Sequence, residues 1–159
     1  MTDYYTMVKL PREEDKVIYH DMTICICGSL SHYKKVVEVK KLLEQIGHRV
    51  LIPWGMEKII AGQLTSDSVA TFKERNQTHA IKRHYEKICA SDAILVVNEE
   101  KNGIKHYIGG NTLMEMGFAF VLDKPIYLLS PVPEVPYKEE IIAMKPFVLG
   151  GDVGRITKN

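Results

Sequence analysis

The chain has 159 residues, close to the common size of one domain, a length at which roughly 70% of the unfolded surface can be buried in a single core. Its 21 Lys and Arg against 20 Asp and Glu leave a net charge of +1, too little to attract a nucleic acid polymer or an anionic membrane, so a small ligand is favoured. No apolar run approaches the roughly 20 residues that span a bilayer, and the first 21 residues lack the basic-then-apolar layout of a signal peptide, so a soluble, cytoplasmic protein is expected.

Residues 1–21 are polar, carry Pro11 and the charged run from Arg12 to Lys16, and read as an N-terminal arm preceding one domain over residues 22–159. Residues 22–27 form a near-continuous apolar run that stops at Gly28, as expected of a strand covered on both faces. Cys25 and Cys27 stand two apart in that strand and share a face with poor disulfide geometry, while Cys89 is distant, so three reduced, buried thiols are expected. In residues 33–46, Val36, Val39, Leu43 and Ile46 recur at helical steps, and Gly47 supplies the stop. Residues 48–52 read as a second strand ended by Pro53, completing a strand, helix, strand unit whose default crossover is parallel and right-handed.

Residues 54–66 show no clear period and contain Gly55 and Gly62, so they are expected to form a loop over the end of the sheet. Ser66 or Asp67 is placed to cap a helix running towards Ala90, with Phe72, Ile81, Tyr85 and Ile88 as core contacts. Residues 92–97 carry the strongest strand pattern, and a polar loop over 98–110 leads to a helical period over 112–122. A fourth strand over 125–129 precedes an extended link enforced by Pro131, Pro133 and Pro136, a short helix over 137–144 and a last strand over 147–149. Alternating strands and helices predict a single-domain α/β fold: a doubly wound, mostly parallel sheet of about five strands, with helices on both faces in a Rossmann/flavodoxin-like arrangement.

Such a sheet places ligands outside the carboxyl ends of its strands, next to helix N-termini. In residues 28–31, Gly28 permits a tight turn, and the following amides with the Ser29 and Ser31 hydroxyls can face an anion; alternatively Ser31 only caps the next helix. In residues 109–115, Gly109, Gly110 and Asn111 allow close backbone approach, and Glu115 is expected in the first turn of the following helix. A carboxylate there can act as nucleophile, or as stabiliser of an oxocarbenium-like centre; the other reading is a capping box in which Thr112 caps and Glu115 reaches back. His84 shares a helix face with Ile81 and Ile88, either as a neutral core histidine or as a proton-transfer partner. His79 and His84 are five apart and the cysteines offer no paired ligand motif, so no metal is expected. Trp54, Tyr33 and Tyr107 can each stack on a nucleobase or pack a loop against the core.

The segments Ile26-Cys-Gly-Ser-Leu30, Ser91-Asp-Ala-Ile-Leu-Val-Val97, Gly110-Asn-Thr-Leu-Met-Glu-Met-Gly-Phe-Ala119 and Asp123-Lys-Pro-Ile126 together resemble the nucleoside 2-deoxyribosyltransferase superfamily, which includes deoxynucleoside 5′-monophosphate N-glycosidases. The resemblance implies Glu115 as catalytic nucleophile, a 5′-phosphate held on Gly28, Ser29 and Leu30, no cofactor, and a homo-oligomer, dimer or higher, acting on a small nucleoside or nucleotide. Asp92 becomes the candidate anchor for the ribose and His84 the candidate donor of a proton to the departing base. Two positions depart from the family pattern: His84 and Gly109 stand where an Asp is usual. The stretch from Gly109 to Glu115 is also similar to the Gly-Gly-x-Gly-Thr-x-x-Glu segment of phosphoribohydrolases that release cytokinin-type bases, with one glycine missing. Both families break N-glycosidic bonds. The rival from another class is a non-catalytic nucleotide sensor, in which the departures at His84 and Gly109 leave a pocket that binds without turnover.

Overall fold

The computed structural model describes residues 21–157, so the expected N-terminal arm, Asp21 apart, lies outside the described residues. In β1 (Thr23–Cys27) successive side chains alternate between two faces, with Ile24 and Ile26 entering one core and Cys25 and Cys27 the other, all fully buried. β2 (Arg49–Leu51), β3 (Ala93–Val96), β4 (Ile126–Leu128) and β5 (Phe147–Val148) complete a five-stranded sheet in the order β2-β1-β3-β4-β5, with every neighbouring pair parallel. This is the flavodoxin-like order, and the expected α/β fold with helices on both faces is present.

One core gathers Val36, Val39 and Leu43 of α1 (Tyr33–Gln45) and Met56 of α2 (Trp54–Ile60) against Ile24, Ile26 and Leu95. The other gathers Ile88 of α3 (Val69–Cys89), Met116 and Ala119 of α4 (Gly110–Val121) and Ile141 of α5 (Lys138–Ala143) against Cys25, Cys27, Ile94 and Val96. Each fully buried aliphatic side chain contributes on the order of 1.5–3 kcal/mol. No helix among the described residues is long and apolar enough to cross a membrane.

Four local expectations need correction. Residues 54–60 are helical rather than loop, because Met56 docks in the core; at seven residues, α2 is too short to display a period. The N-cap position of α3 is Ser68, later than expected: a 3-10 turn over Ser66–Ser68 precedes the helix, and the Ser68 hydroxyl accepts the Thr65 amide at 3.0 Å. Tyr85 is 40% exposed and meets Phe118 edge-on at 5.1 Å outside the core, since only the C-terminal part of the long α3 lies against the sheet through His84 and Ile88. Cys89, at the end of that helix, is exposed, whereas Cys25 and Cys27 are buried; all three are free.

Candidate active site

The strand order reverses between β1 and β3, so the chain leaves their carboxyl ends towards opposite faces and opens a crevice there. Gly28 closes the turn after β1 directly against the turn after β3. A Cβ at this position would lie 3.0 Å from the Val97 carbonyl oxygen, so the approach itself calls for glycine. Above the crevice is a cavity of about 320 Å³, at the small end of the range for small-molecule sites. The β1 turn supplies Gly28, Ser29 and Leu30, and the start of α2 supplies Trp54 and Gly55. From α3 come Phe72, Lys73, Gln77, Ile81 and His84, and from the loop after β3 come Lys101 and Tyr107. Gly109, Gly110, Asn111, Thr112 and Glu115 line the cavity at the start of α4.

At its floor Glu115 Oε2 lies 3.8 Å from His84 Nε2, the two side chains being 14% and 3% exposed. Burial raises the Glu115 carboxyl above its ordinary value, with His84 opposing. For His84, burial pulls downwards, but Glu115 and then Cys25 outweigh it, and the net direction is upwards. Beneath this pair His84 Nε2 lies 3.4 Å from Cys27 Sγ and 3.7 Å from Cys25 Sγ. Hydrogen bonding within the cysteine pair lowers the Cys25 thiol against the pull of burial, and His84 adds to the lowering; burial raises Cys27. His84 Nδ1 is buried without a hydrogen-bond partner among the described residues.

At the rim the Ser29 hydroxyl accepts from Lys101 Nζ at 3.0 Å and lies 2.8 Å from Ser31 Oγ. Lys73 is lowered from its ordinary value, first by burial and then by the charge of Lys101, so two ammonium groups share this end of the cleft. Neither pairs with a carboxylate among the described residues. Trp54 packs on Phe72 at 5.1 Å and carries Arg83 at 4.6 Å from its ring centre. Gln77 Nε2 donates to Asn111 Oδ1 at 2.8 Å, which ties α3 to the opening turn of α4.

Of the residues expected from sequence, Gly28, Ser29, Leu30, Trp54, His84, Tyr107, Gly109, Gly110, Asn111 and Glu115 line this one cleft. Asp92 does not. It precedes β3, at the amino end of a parallel sheet, where Asp92 Oδ2 accepts the Thr23 amide at 2.7 Å. Four residues of strand at about 3.3 Å each separate it from the carboxyl ends, so it cannot hold a ribose in the cleft. Tyr33 packs on the α1-side core instead of lining the cleft. Ser31 is exposed and outside the lining; it does not cap α1, whose N-cap is His32. The capping box is also absent: α4 begins at Gly110, with Gly109 as N-cap, so Thr112 is already helical and buried. Glu115 therefore stands in the second turn rather than the first, and faces His84. Lys73, Gln77 and Lys101 were not anticipated. A signal existed for α3, where Lys73, Gln77, Ile81 and His84 form a stripe at three- and four-residue steps; Lys101 lies in an irregular loop and has none. The fold also brings Cys25, Cys27 and His84 together, with donor atoms all within 4.8 Å, a grouping that the linear spacing conceals.

No family model and no curated protein matches the chain. Among solved structures, a 2-deoxyribosyltransferase from the psychrotolerant bacterium Bacillus psychrosaccharolyticus is similar at TM-score 0.46 and 23% identity, covering 67% of this chain and 70% of that one. The flavoenzyme NAD(P)H:(acceptor) oxidoreductase FerB from Paracoccus denitrificans is similar at TM-score 0.42 and 17% identity, covering 80% of this chain and 75% of that one. Both likenesses are distant, and neither assigns an activity to this chain.

Proposed function

We propose that the cleft binds a nucleoside or nucleoside 5′-monophosphate and breaks its N-glycosidic bond, with transfer or hydrolysis completing the reaction. A single observation carries this reading: a buried carboxylate, Glu115, faces the same small cleft as a glycine-serine turn flanked by two lysines. The turn amides with Lys73 and Lys101 suit the charge and hydrogen-bonding demands of a phosphate. Phe72 and Tyr107, both lining the cleft, offer aromatic faces to a flat base. At the floor of the cleft the Glu115 oxygen attacks or stabilises C1′. In the covalent route the C1′–N bond breaks as the Glu115 oxygen bonds to C1′, and the departing base nitrogen takes a proton. His84, 3.8 Å from Glu115 and biased towards protonation, is the candidate source. Water or a second base then displaces Glu115 from C1′.

Among the described residues lining the cleft Glu115 is the one carboxylate, and His84 is only 3% exposed, an arrangement that favours a second reading as a nucleotide sensor. Incubation of the purified protein with ribo- and deoxyribonucleosides and their monophosphates, followed by chromatography for free base, separates the two. The enzyme reading expects base release that falls by roughly 10²–10⁴-fold in Glu115→Gln while the circular dichroism spectrum is unchanged. Tight binding without release supports the sensor, and neither binding nor release overturns both.

A further inference from the structure

We propose that Cys25, Cys27 and His84, whose donor atoms are already gathered, form with Glu115 moving in as fourth donor a site for a soft divalent cation, zinc above all, at the floor of the cleft. The donor set is two sulfurs, one imidazole nitrogen and one carboxylate oxygen, which suits a tetrahedral zinc ion and excludes magnesium or calcium. Zinc bonds of about 2.3 Å to sulfur and 2.0–2.1 Å to nitrogen or oxygen place the donors of a tetrahedron roughly 3.3–3.8 Å apart. In such a tetrahedron a nitrogen-to-sulfur separation is about 3.5–3.6 Å and a nitrogen-to-oxygen one about 3.3–3.5 Å; His84 Nε2 lies 3.4 Å from Cys27 Sγ and 3.7 Å from Cys25 Sγ, close to the first, and Glu115 Oε2, now at 3.8 Å, closes by a few tenths of an ångström on loading. The Cys25 and Cys27 sulfurs and His84 Nε2 all lie within 4.8 Å of one another.

Each donor has a structural reason to be there. Cys25 and Cys27, two apart, point from the same face of β1 into the core beneath α3 and α4, which contribute His84 and Glu115. Entry is from the cleft, past His84 and Glu115, both of which line it. Loading releases to solvent the protons that the two sulfurs, His84 and Glu115 carry, and leaves a complex of net charge −1 from the divalent cation, two thiolates, one carboxylate and one neutral imidazole. His84 Nδ1 has no partner among the described residues, so the outer contact that normally orients a ligating histidine is missing. That omission weakens binding by about 10- to 100-fold relative to a site with a complete outer shell, and points to reversible occupancy. Occupancy also withdraws Glu115 and His84 from substrate, so zinc would inhibit base release; that consequence rests on the proposed activity, whereas binding does not.

Cobalt(II) titration of the Cys89→Ser protein tests the site, because the exposed thiol is then gone and any sulfur ligand must be Cys25 or Cys27. The expected result is a thiolate-to-cobalt charge-transfer band with the intense visible absorption of a tetrahedral ion, saturating at about one equivalent per chain and abolished by zinc. Cys27→Ser, introduced with folding checked by circular dichroism, should weaken binding by about tenfold or more. Cobalt uptake without the charge-transfer band, no saturable uptake, or an unchanged spectrum in folded Cys27→Ser would overturn the proposal. Should Cys27→Ser not fold, the Cys89→Ser spectrum decides alone. Failure of base release leaves these spectra intact, so the two proposals fail separately.

Discussion

Lys101 illustrates how much a single loop side chain contributes to the cleft. Its ammonium group donates to the Ser29 hydroxyl and sits close enough to Lys73 to disfavour that residue's charge, a repulsion that an arriving anion relieves. Lys101→Ala should therefore weaken monophosphate binding by about tenfold, the size of one charged hydrogen bond, while nucleoside binding changes little. Thermal protection by the two ligands, compared in wild type and variant, checks this; equal losses for both would count against a phosphate at this end. His48 provides a separate prediction, about stability. It is buried and its Nδ1 accepts the Met22 amide at 3.4 Å; burial lowers its pKa below the ordinary 6.5, with Asp21 opposing. The unfolded chain binds a proton near pH 6.5 that the folded chain resists, so this contribution to stability is complete above that pH. It is lost as the pH falls through the lower, folded value. Urea midpoints measured from pH 7 to 5 should fall more steeply in wild type than in His48→Gln.

Among the elements, the loop after β3 owes its shape to Asn98. This buried side chain shares its two Nδ2 protons among the carbonyl oxygens of His106, Ser130 and Pro131 at 3.3, 3.1 and 2.9 Å, and its Oδ1 accepts the Ser130 amide at 3.0 Å. It thus joins the loop that carries Lys101 and Tyr107 to the end of β4. Asn98→Ala leaves these backbone groups without partners, at a cost of about 1–3 kcal/mol, and should lower the melting temperature by about 2–12 °C. Amide exchange in the loop should accelerate more than exchange in β1, because the sheet itself is untouched. The sequence marked this segment as a polar loop but could not reveal the clamp, since its partners lie up to 33 residues away. The missed α2 has a related cause. Its helical state depends on Met56 docking in the core and on Gly55 passing close to Leu30, where a Cβ would come within 2.8 Å of Leu30 Cδ1. Both are long-range contacts with no local signature.

For the molecule as a whole, the two cores meet only through the sheet, and β3 holds the centre. Leu95 is fully buried on the α1 side, while Ile94 and Val96 face the α4 side. Leu95→Ala should cost about 2–5 kcal/mol, a large part of the total for a domain of this size, and should lower the urea midpoint while leaving the m-value unchanged.

The sequence by itself determined the fold class, the location of five strands and the carboxyl ends of β1 and β3 as the place to look for a site, because apolar runs bounded by glycine and proline are local properties of the chain. It also selected Gly28, Ser29, Glu115 and His84 as a group worth testing. Only the tertiary structure decided that Asp92 belongs to the opposite end of the sheet, that Glu115 faces His84 and not its own helix start, and that Lys73, Lys101 and two cysteines complete the surroundings. Periodicity reports which side of an element a residue occupies. Which residues of other elements it meets depends on strand order and helix packing, and those arise only when the whole chain closes around its two cores.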